Sequence, residues 1–238
     1  SFPGVWPLNF AMNPSTLPDD DFYPLIEARH GDPFKILGMR EFQGSWFGRA
    51  WRPDAAKVEL VDAADATRRF PLTRVHPDGY FEAVLRGVQQ PFAYVLEMTS
   101  HEGVTWCERD VYAFGPVLGE MDIYLFSEGT HYEVYKKLGA HLIELGGVRG
   151  THFAVWAPNA QRVSVVGDFN HWDGRIHLMR KMIPAGIWEI FVPDVHEGAH
   201  YKFEIRGPHG EIMLKTDPFA FYAQHGTQTG CMVFDIGR

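Results

Sequence analysis

A chain of 238 residues with 45% hydrophobic and 14% aromatic side chains is long enough for two ordinary domains and too apolar to be disordered. Its formal net charge of -8 argues against nucleic acid and anionic membrane as partners, since both call for a basic face, and favours a neutral or cationic ligand. No apolar run is long enough to span a bilayer, and the first residues, SFPGVWPLNF, lack a basic stretch followed by an apolar one, so a cytoplasmic protein is expected.

In chain order, residues 1–30 read as an arm and a short helix. The arm is proline-rich and aperiodic, which suits an extended segment lying on another surface or disordered. In DDDFYPLIEARHG, Asp19, Asp20 and Asp21 suit the positive end of a helix dipole and Gly31 suits its end, while Pro24 points to a late start or a first-turn position. Residues 31–126 then alternate in short stretches broken by turn formers such as HPDG (His76 to Gly79) and SHEG (Ser100 to Gly103), the rhythm of an antiparallel sandwich. Residues 127–150 fit neither half of the chain and read as a linker of loop or broken helix. Residues 151–238 resume the strand rhythm, with GPHG (Gly207 to Gly210) at the turn matching SHEG.

The second stretch repeats the first. AWRPDAAKVELV (Ala50 to Val61) returns as VWAPNAQRVSVV (Val155 to Val166) at an offset of 105. GYFEAVL, AYVLEM and DVYAF return as GIWEIFV, HYKFEI and DPFAF at an offset of 107. Order and near-constant spacing indicate duplication, hence an all-β protein of two tandem immunoglobulin-like β-sandwiches with a short N-terminal helix. The shared aromatic positions, Trp51 with Trp156, Phe81 with Trp188, Tyr94 with Tyr201 and Phe114 with Phe221, are expected in the cores. Cys107 and Cys231 fall at non-equivalent places, so they read as two free thiols and not as a repeated disulfide.

The offset changes inside GDFNHWDGR (Gly167 to Arg175), where the second copy owns a longer loop. Glycans present arrays of C–H groups framed by hydroxyls, so an aromatic face with a few fixed polar groups suits them. Trp172 supplies such a face. Lys202 lies on the strand HYKFEI, where alternation sends Tyr201, Phe203 and Ile205 to the core and Lys202 to water. Asn170 is a third candidate contact, although an Asn in a glycine-bounded loop also serves turns. The bland alternative makes Trp172 a packing residue and Lys202 a solvated charge. Against it, the first copy has no aromatic in the matching VDAADATRR and has Val95 where the second has Lys202. No metal-ligand spacing, phosphate loop or nucleophile elbow occurs, so no metal, cofactor or catalytic residue is expected.

HGDPFKILGMR (His30 to Arg40), EMDIYLFSEGTHYEVYKKLGAH (Glu120 to His141), FAVWAPNAQRVSVVGDFNHWDGR (Phe153 to Arg175) and YKFEI followed by KTDPFAF together resemble the N-terminal part of bacterial glycogen branching enzymes. The second half is similar to carbohydrate-binding modules of family 48, which also occur in debranching enzymes, trehalohydrolases and glycogen-sensing kinase subunits. The resemblance implies that the Trp of FNxW stacks on glucose and that the Lys of YKF bonds its hydroxyls, roles that fall here on Trp172 and Lys202. It implies α-1,4 glucan or glycogen as ligand. It implies, too, a partner catalytic barrel, of roughly 250 residues, in the same parent chain, where α-1,4 segments are transferred to form α-1,6 branches and where the catalytic residues reside. A stand-alone glucan-binding module, the N-terminal part of a debranching enzyme or trehalohydrolase, and a purely structural sandwich pair are the alternatives.

Overall fold

The computed structural model describes residues 13–129, 136–220, 222–223 and 230–234. After helix α1 (Asp19–Ile26), the first copy comprises β1 (Gly38–Phe42), β2 (Ser45–Trp51), β3 (Ala55–Asp62), β4 (Arg69–His76), β5 (Tyr80–Val84), β6 (Tyr94–Ser100) and β7 (Thr105–Arg109). They run antiparallel in the order β1-β2-β5-β4-β3-β6-β7. Strand β4 turns the corner of the sandwich: its residues Arg69 to Leu72 pair with β3, and its residues Thr73 to His76 pair with β5.

A second helix, α2 (Glu120–Ser127), leads to β8 (Gly139–Leu145), β9 (Val148–Trp156), β10 (Arg162–Gly167), β11 (Arg180–Met182), β12 (Ile187–Pro193), β13 (His200–Arg206), β14 (Ile212–Lys215), β15 (Tyr222–Ala223) and β16 (Cys231–Met232). One sheet has the order β11-β12-β9-β8; the other has β10-β13-β16-β15, with β14 pairing the remainder of β13 on the same side as β16. The linker expected over 127–150 therefore contains a strand. GAHLIEL folds back on β9 through Gly146 and Gly147, both at positive φ (59° and 78°), so the second sandwich begins at Gly139. Alternation misses it because Ala140, Leu142, Ile143 and Leu145 put apolar side chains on both faces.

Helix α1 forms where the three aspartates place it, but Pro24 sits near its end. The left-handed residue after it is Ala28 (φ 55°) and not Gly31. Cys107 and Cys231 are free thiols. Phe221, expected in the core beside Phe114, lies outside the described residues, as do residues 1–12 of the arm. Residues 15 and 16 do lie on the first sandwich: Ser15 Oγ and the Thr16 backbone N–H donate to the Glu82 carboxylate at 2.9 and 2.8 Å.

The duplication extends to single hydrogen bonds. The Tyr94 hydroxyl donates to Asp110 Oδ2 at 2.6 Å, and the Tyr201 hydroxyl donates to Asp217 Oδ2 at 2.6 Å. In each copy the other carboxyl oxygen accepts a backbone N–H two residues on, from Tyr112 and Phe219. Burial pushes both carboxyls above the usual range, against the pull of these donors. Removing one hydroxyl by Tyr94→Phe or Tyr201→Phe leaves a buried acceptor short of a partner, so each variant is expected to lose about 1–3 kcal/mol in chemical denaturation.

Trp188, Phe81, Tyr94 and Tyr201 are buried as expected, but Trp156 is 57% exposed. Trp51 and Trp156 occupy the same position on the outer face of their duplicated strands. The outer face of the first copy is covered by α1, whose Phe22 ring stands edge-on to Tyr80, the cross-strand partner of Trp51, at 5.7 Å. The corresponding face of the second copy is covered by Leu118, by Ile123 of α2 and by Leu138, which shelter Ala154 and Ile187 and leave the end of β9 bare.

The cores do not divide at the repeat boundary. Met39, Leu60, Phe81 and Met98 belong to a cluster inside the first sandwich. A larger cluster joins Leu17, Phe22, Leu25, Trp51, Tyr80 and Tyr112 to Phe153, Val163, Leu178, Trp188 and Tyr201. Tyr112 crosses the seam: its hydroxyl donates to the Ile176 carbonyl and accepts the Leu178 N–H, both at 3.1 Å.

Candidate functional site

The loop after β10 owes its shape to two glycines and one asparagine. A Cβ at Gly167 would meet the His200 carbonyl at 2.3 Å, and one at Gly174 would meet the Glu204 carboxylate at 2.2 Å, so both ends of the loop lie flat on β13. The Gly174 carbonyl is held by Ser164 Oγ (2.6 Å) and Arg162 Nη1 (3.0 Å). Asn170 is only 2% exposed. Its Oδ1 accepts the Gly167 N–H, and its Nδ2 faces the Val165 carbonyl and His177 Nδ1, each at 2.9 Å. Its carboxamide is thus committed beneath the loop, whose outward surface is built by other residues.

His171 and Trp172 follow in left-handed conformation (φ 55° and 59°). Two such residues in succession are costly outside glycine, and here they turn the Trp172 ring outward, 40% exposed. The indole is not loose. Its Nε1 donates to Asp168 Oδ1 at 3.2 Å, and Asp168 Oδ2 lies 3.0 Å from His200 Nδ1 and 3.3 Å from the His200 backbone N. His200 and Lys202 are two apart on β13, hence on one face of the strand. A chain of contacts thus runs from the Trp172 ring through Asp168 to the strand face that bears Lys202. Lys202 is half-buried and stands opposite Val166; Val95 stands opposite Val61 in the first copy, so the duplicated register places Val95 and Lys202 at one structural position.

Beneath the loop, Phe169 stacks on Phe153 at 5.9 Å and His177 is buried. Burial, helped by the nearby Arg52 guanidinium, lowers the His177 pKa to about 4, so the ring is neutral at ordinary pH. Neutral Nδ1 then accepts from the Asn170 amide, which puts the ring proton on Nε2. Arg52 is itself clamped by Asp54 (2.7 Å) and Glu108 (2.5 Å). At the loop's end, burial works against the charge on Asp173, yet the Arg175 side chain and N–H hold its carboxyl below the usual range.

Asp168, His200 and His177 are not among the glucan contacts expected from sequence, which are Trp172, Lys202 and Asn170. For the first two the signal was present in the copy comparison, since the positions matching Asp168 and His200 in the first copy are Ala63 and Ala93. Nothing local marks His177 as buried.

Residues 18–112 match the model of the alpha-1,4-glucan branching enzyme GlgB N-terminal domain, and residues 137–220 match carbohydrate-binding module 48 (isoamylase N-terminal domain). The chain is 46% identical over 222 residues to the 1,4-alpha-glucan branching enzyme GlgB of Rhodospirillum rubrum, covering 90% of this chain and 30% of that protein. It is 45% identical over 221 residues to the same-named protein of Myxococcus xanthus, covering 92% and 30%. The chain thus spans about 30% of the length of the curated relatives it matches. Among solved structures, a pullulanase from Anoxybacillus sp. LM18-11 aligns with a TM-score of 0.36 at 18% identity, over 83% of this chain and 26% of that one. With a GlgB N-terminal domain followed by a carbohydrate-binding module 48, the chain belongs to the family of N-terminal regions of 1,4-alpha-glucan branching enzymes.

Proposed function

We propose that this chain is the non-catalytic, glucan-holding N-terminal region of an enzyme that transfers α-1,4 glucan segments to form α-1,6 branches in glycogen. The observation that carries the reading is the outward Trp172 ring, tied through Asp168 to the strand that bears Lys202. A glucose ring lies against the indole, and Lys202 donates to its hydroxyls. Asn170 serves the same site from below by setting the loop. In the first copy the shorter loop and Val95 offer neither group, so that sandwich acts as support. Tyr112 delivers the support, because its hydroxyl grips residues on either side of His177, directly after the loop. In the parent enzyme the partner of this region is the catalytic barrel, to which the second sandwich presents its glucan. No helix among the described residues is long and apolar enough to cross a membrane, and the two free thiols suit a cytoplasmic setting.

Calorimetric titration of the purified chain with maltoheptaose tests the reading. Saturable binding in the millimolar range or tighter is expected, weakened about three- to tenfold by Lys202→Ala, as for loss of one charge-assisted hydrogen bond at a partly exposed site. Val95→Ala leaves the affinity unchanged. Absence of binding at millimolar ligand would instead favour a purely structural pair.

A further inference from the structure

Away from the Trp172 loop, the seam between the sandwiches holds an open cavity of about 370 Å³, within the range of roughly 300–1,000 Å³ common for small-molecule sites. Lys35, Arg40 and Arg180 converge on it, with Asp32 as the acid among its lining residues. Such a lining stands out in a chain of net charge -8.

The two arginines share an unusual condition. Arg40 donates from Nε, Nη1 and Nη2 to the carbonyls of Phe34, Met39 and Tyr112, at 2.7, 2.8 and 2.6 Å. Arg180 reaches over from the second sandwich, its guanidinium carbon 3.7 Å from the centre of the Phe34 ring, and Nη2 donates to the Phe114 carbonyl at 2.7 Å. Its Nε is buried without an acceptor. Among the described residues, neither guanidinium forms an ion pair with a carboxylate; Glu189, the acid whose charge acts most on Arg180, is taken by His152 and by the backbone N–H groups of Val117 and Leu118. Lys35 alone has an acid, Asp32, at 3.4 Å. Burial correspondingly lowers the Arg180 pKa, since carbonyl dipoles do not replace a counter-ion.

Partly buried guanidinium groups without carboxylate partners suit an oxyanion, whose planar or tetrahedral oxygens match their paired N–H groups. A phosphate ion alone would leave much of the cavity empty, and a sugar-sized remainder would fill it. We propose that the seam pocket is a binding site for a phosphate monoester of sugar size, its phosphate group held by Lys35, Arg40 and Arg180. None of these residues belongs to the Trp172 site, and the two sites stand or fall separately.

Calorimetry of the full chain at fixed ionic strength, with inorganic phosphate and glucose 6-phosphate as probes, tests the assignment. Both are expected to give saturable heat, glucose 6-phosphate binding at least about threefold more tightly through its extra contacts. Arg180→Gln abolishes binding. Because that variant also removes a contact across the seam, Lys35→Glu is the second test; Lys35 is an exposed side chain whose change leaves the fold intact, and at least a tenfold loss of affinity is expected from reversing a charge. Heat no greater than that of sodium chloride at equal ionic strength would overturn the site, as would binding unchanged by Lys35→Glu. Equal affinity for the two probes would overturn the sugar-sized ligand and leave a site for free phosphate.

Discussion

Trp172→Ala is expected to remove measurable maltoheptaose binding and to leave the fold in place. An aromatic platform at the centre of a small site carries a large share of its affinity; truncating such an anchor costs about 2–4 kcal/mol, a loss of roughly thirtyfold or more. A millimolar interaction so weakened falls below detection. Stability should change little, because the ring is 40% exposed and makes one side-chain hydrogen bond, to Asp168. The backbone supplies a further check. Residue 172 sits at φ 59°, and alanine tolerates that conformation no better than tryptophan. Trp172→Gly should therefore bind as poorly as Trp172→Ala while being at least as stable. The result that would sink the glucan platform is an unfolded Trp172→Ala variant, which would make the ring a packing residue. Titration and a thermal melt on one sample separate these outcomes.

Acidification should destabilise the protein through His177 before it disturbs the glucan site. In the fold the ring pKa is about 4, whereas the unfolded chain titrates near the ordinary value of 6.5. Between these two pH values the unfolded state binds a proton that the folded state refuses. The share of stability that rests on the neutral ring is accordingly full above about pH 6.5 and is lost as the pH drops toward 4. The whole depression corresponds to about 3 kcal/mol, and at its steepest the loss is about 1.4 kcal/mol per pH unit. Asp54 and Glu108, the carboxylates beside Arg52, are held below their usual values by that guanidinium, so in the fold they stay charged beside the neutral His177 ring. His177→Gln keeps an acceptor for the Asn170 amide and removes the titration. Denaturation curves for the two proteins across that window should diverge, the wild type losing about 2 kcal/mol more than the variant. Maltoheptaose affinity of the folded wild type should stay level at pH 5.5, since the ring under the loop is still neutral there. Parallel curves would show that another group carries the pH dependence.

Several elements were open to reading from sequence because one residue type forced each of them. The turns at HPDG, SHEG and GPHG, the alternation of HYKFEI and the three aspartates of α1 led to the sandwiches and the helix. Trp172 and Lys202 were nominated because the duplicated chain served as its own control, with Val95 and a shortened loop as the comparison. What escaped was decided by neighbours distant in sequence. Strand β8 was hidden by apolar residues on both faces, and only its pairing with β9 reveals it. Trp156 has the same local context as Trp51, and its exposure depends on which helix happens to cover it. The commitment of Asn170 beneath its loop depends on His177, a partner seven residues on whose burial is set by the other sandwich.

The shared cluster at the seam bears on the modularity that a duplicated chain suggests. Separate gene copies begin as self-sufficient units, and a tandem pair joined only by a tether keeps that independence. Here Tyr112 and Leu178, each no more than 5% exposed and joined by a hydrogen bond across the seam, would both lose that cover if the halves parted. The cost of opening the seam is that of dismantling a core, so the pair has exchanged autonomy for a fixed mutual posture. The ancestral unit survives as a pattern of strands and as the twin Tyr94–Asp110 and Tyr201–Asp217 contacts, while the physical unit is now the whole.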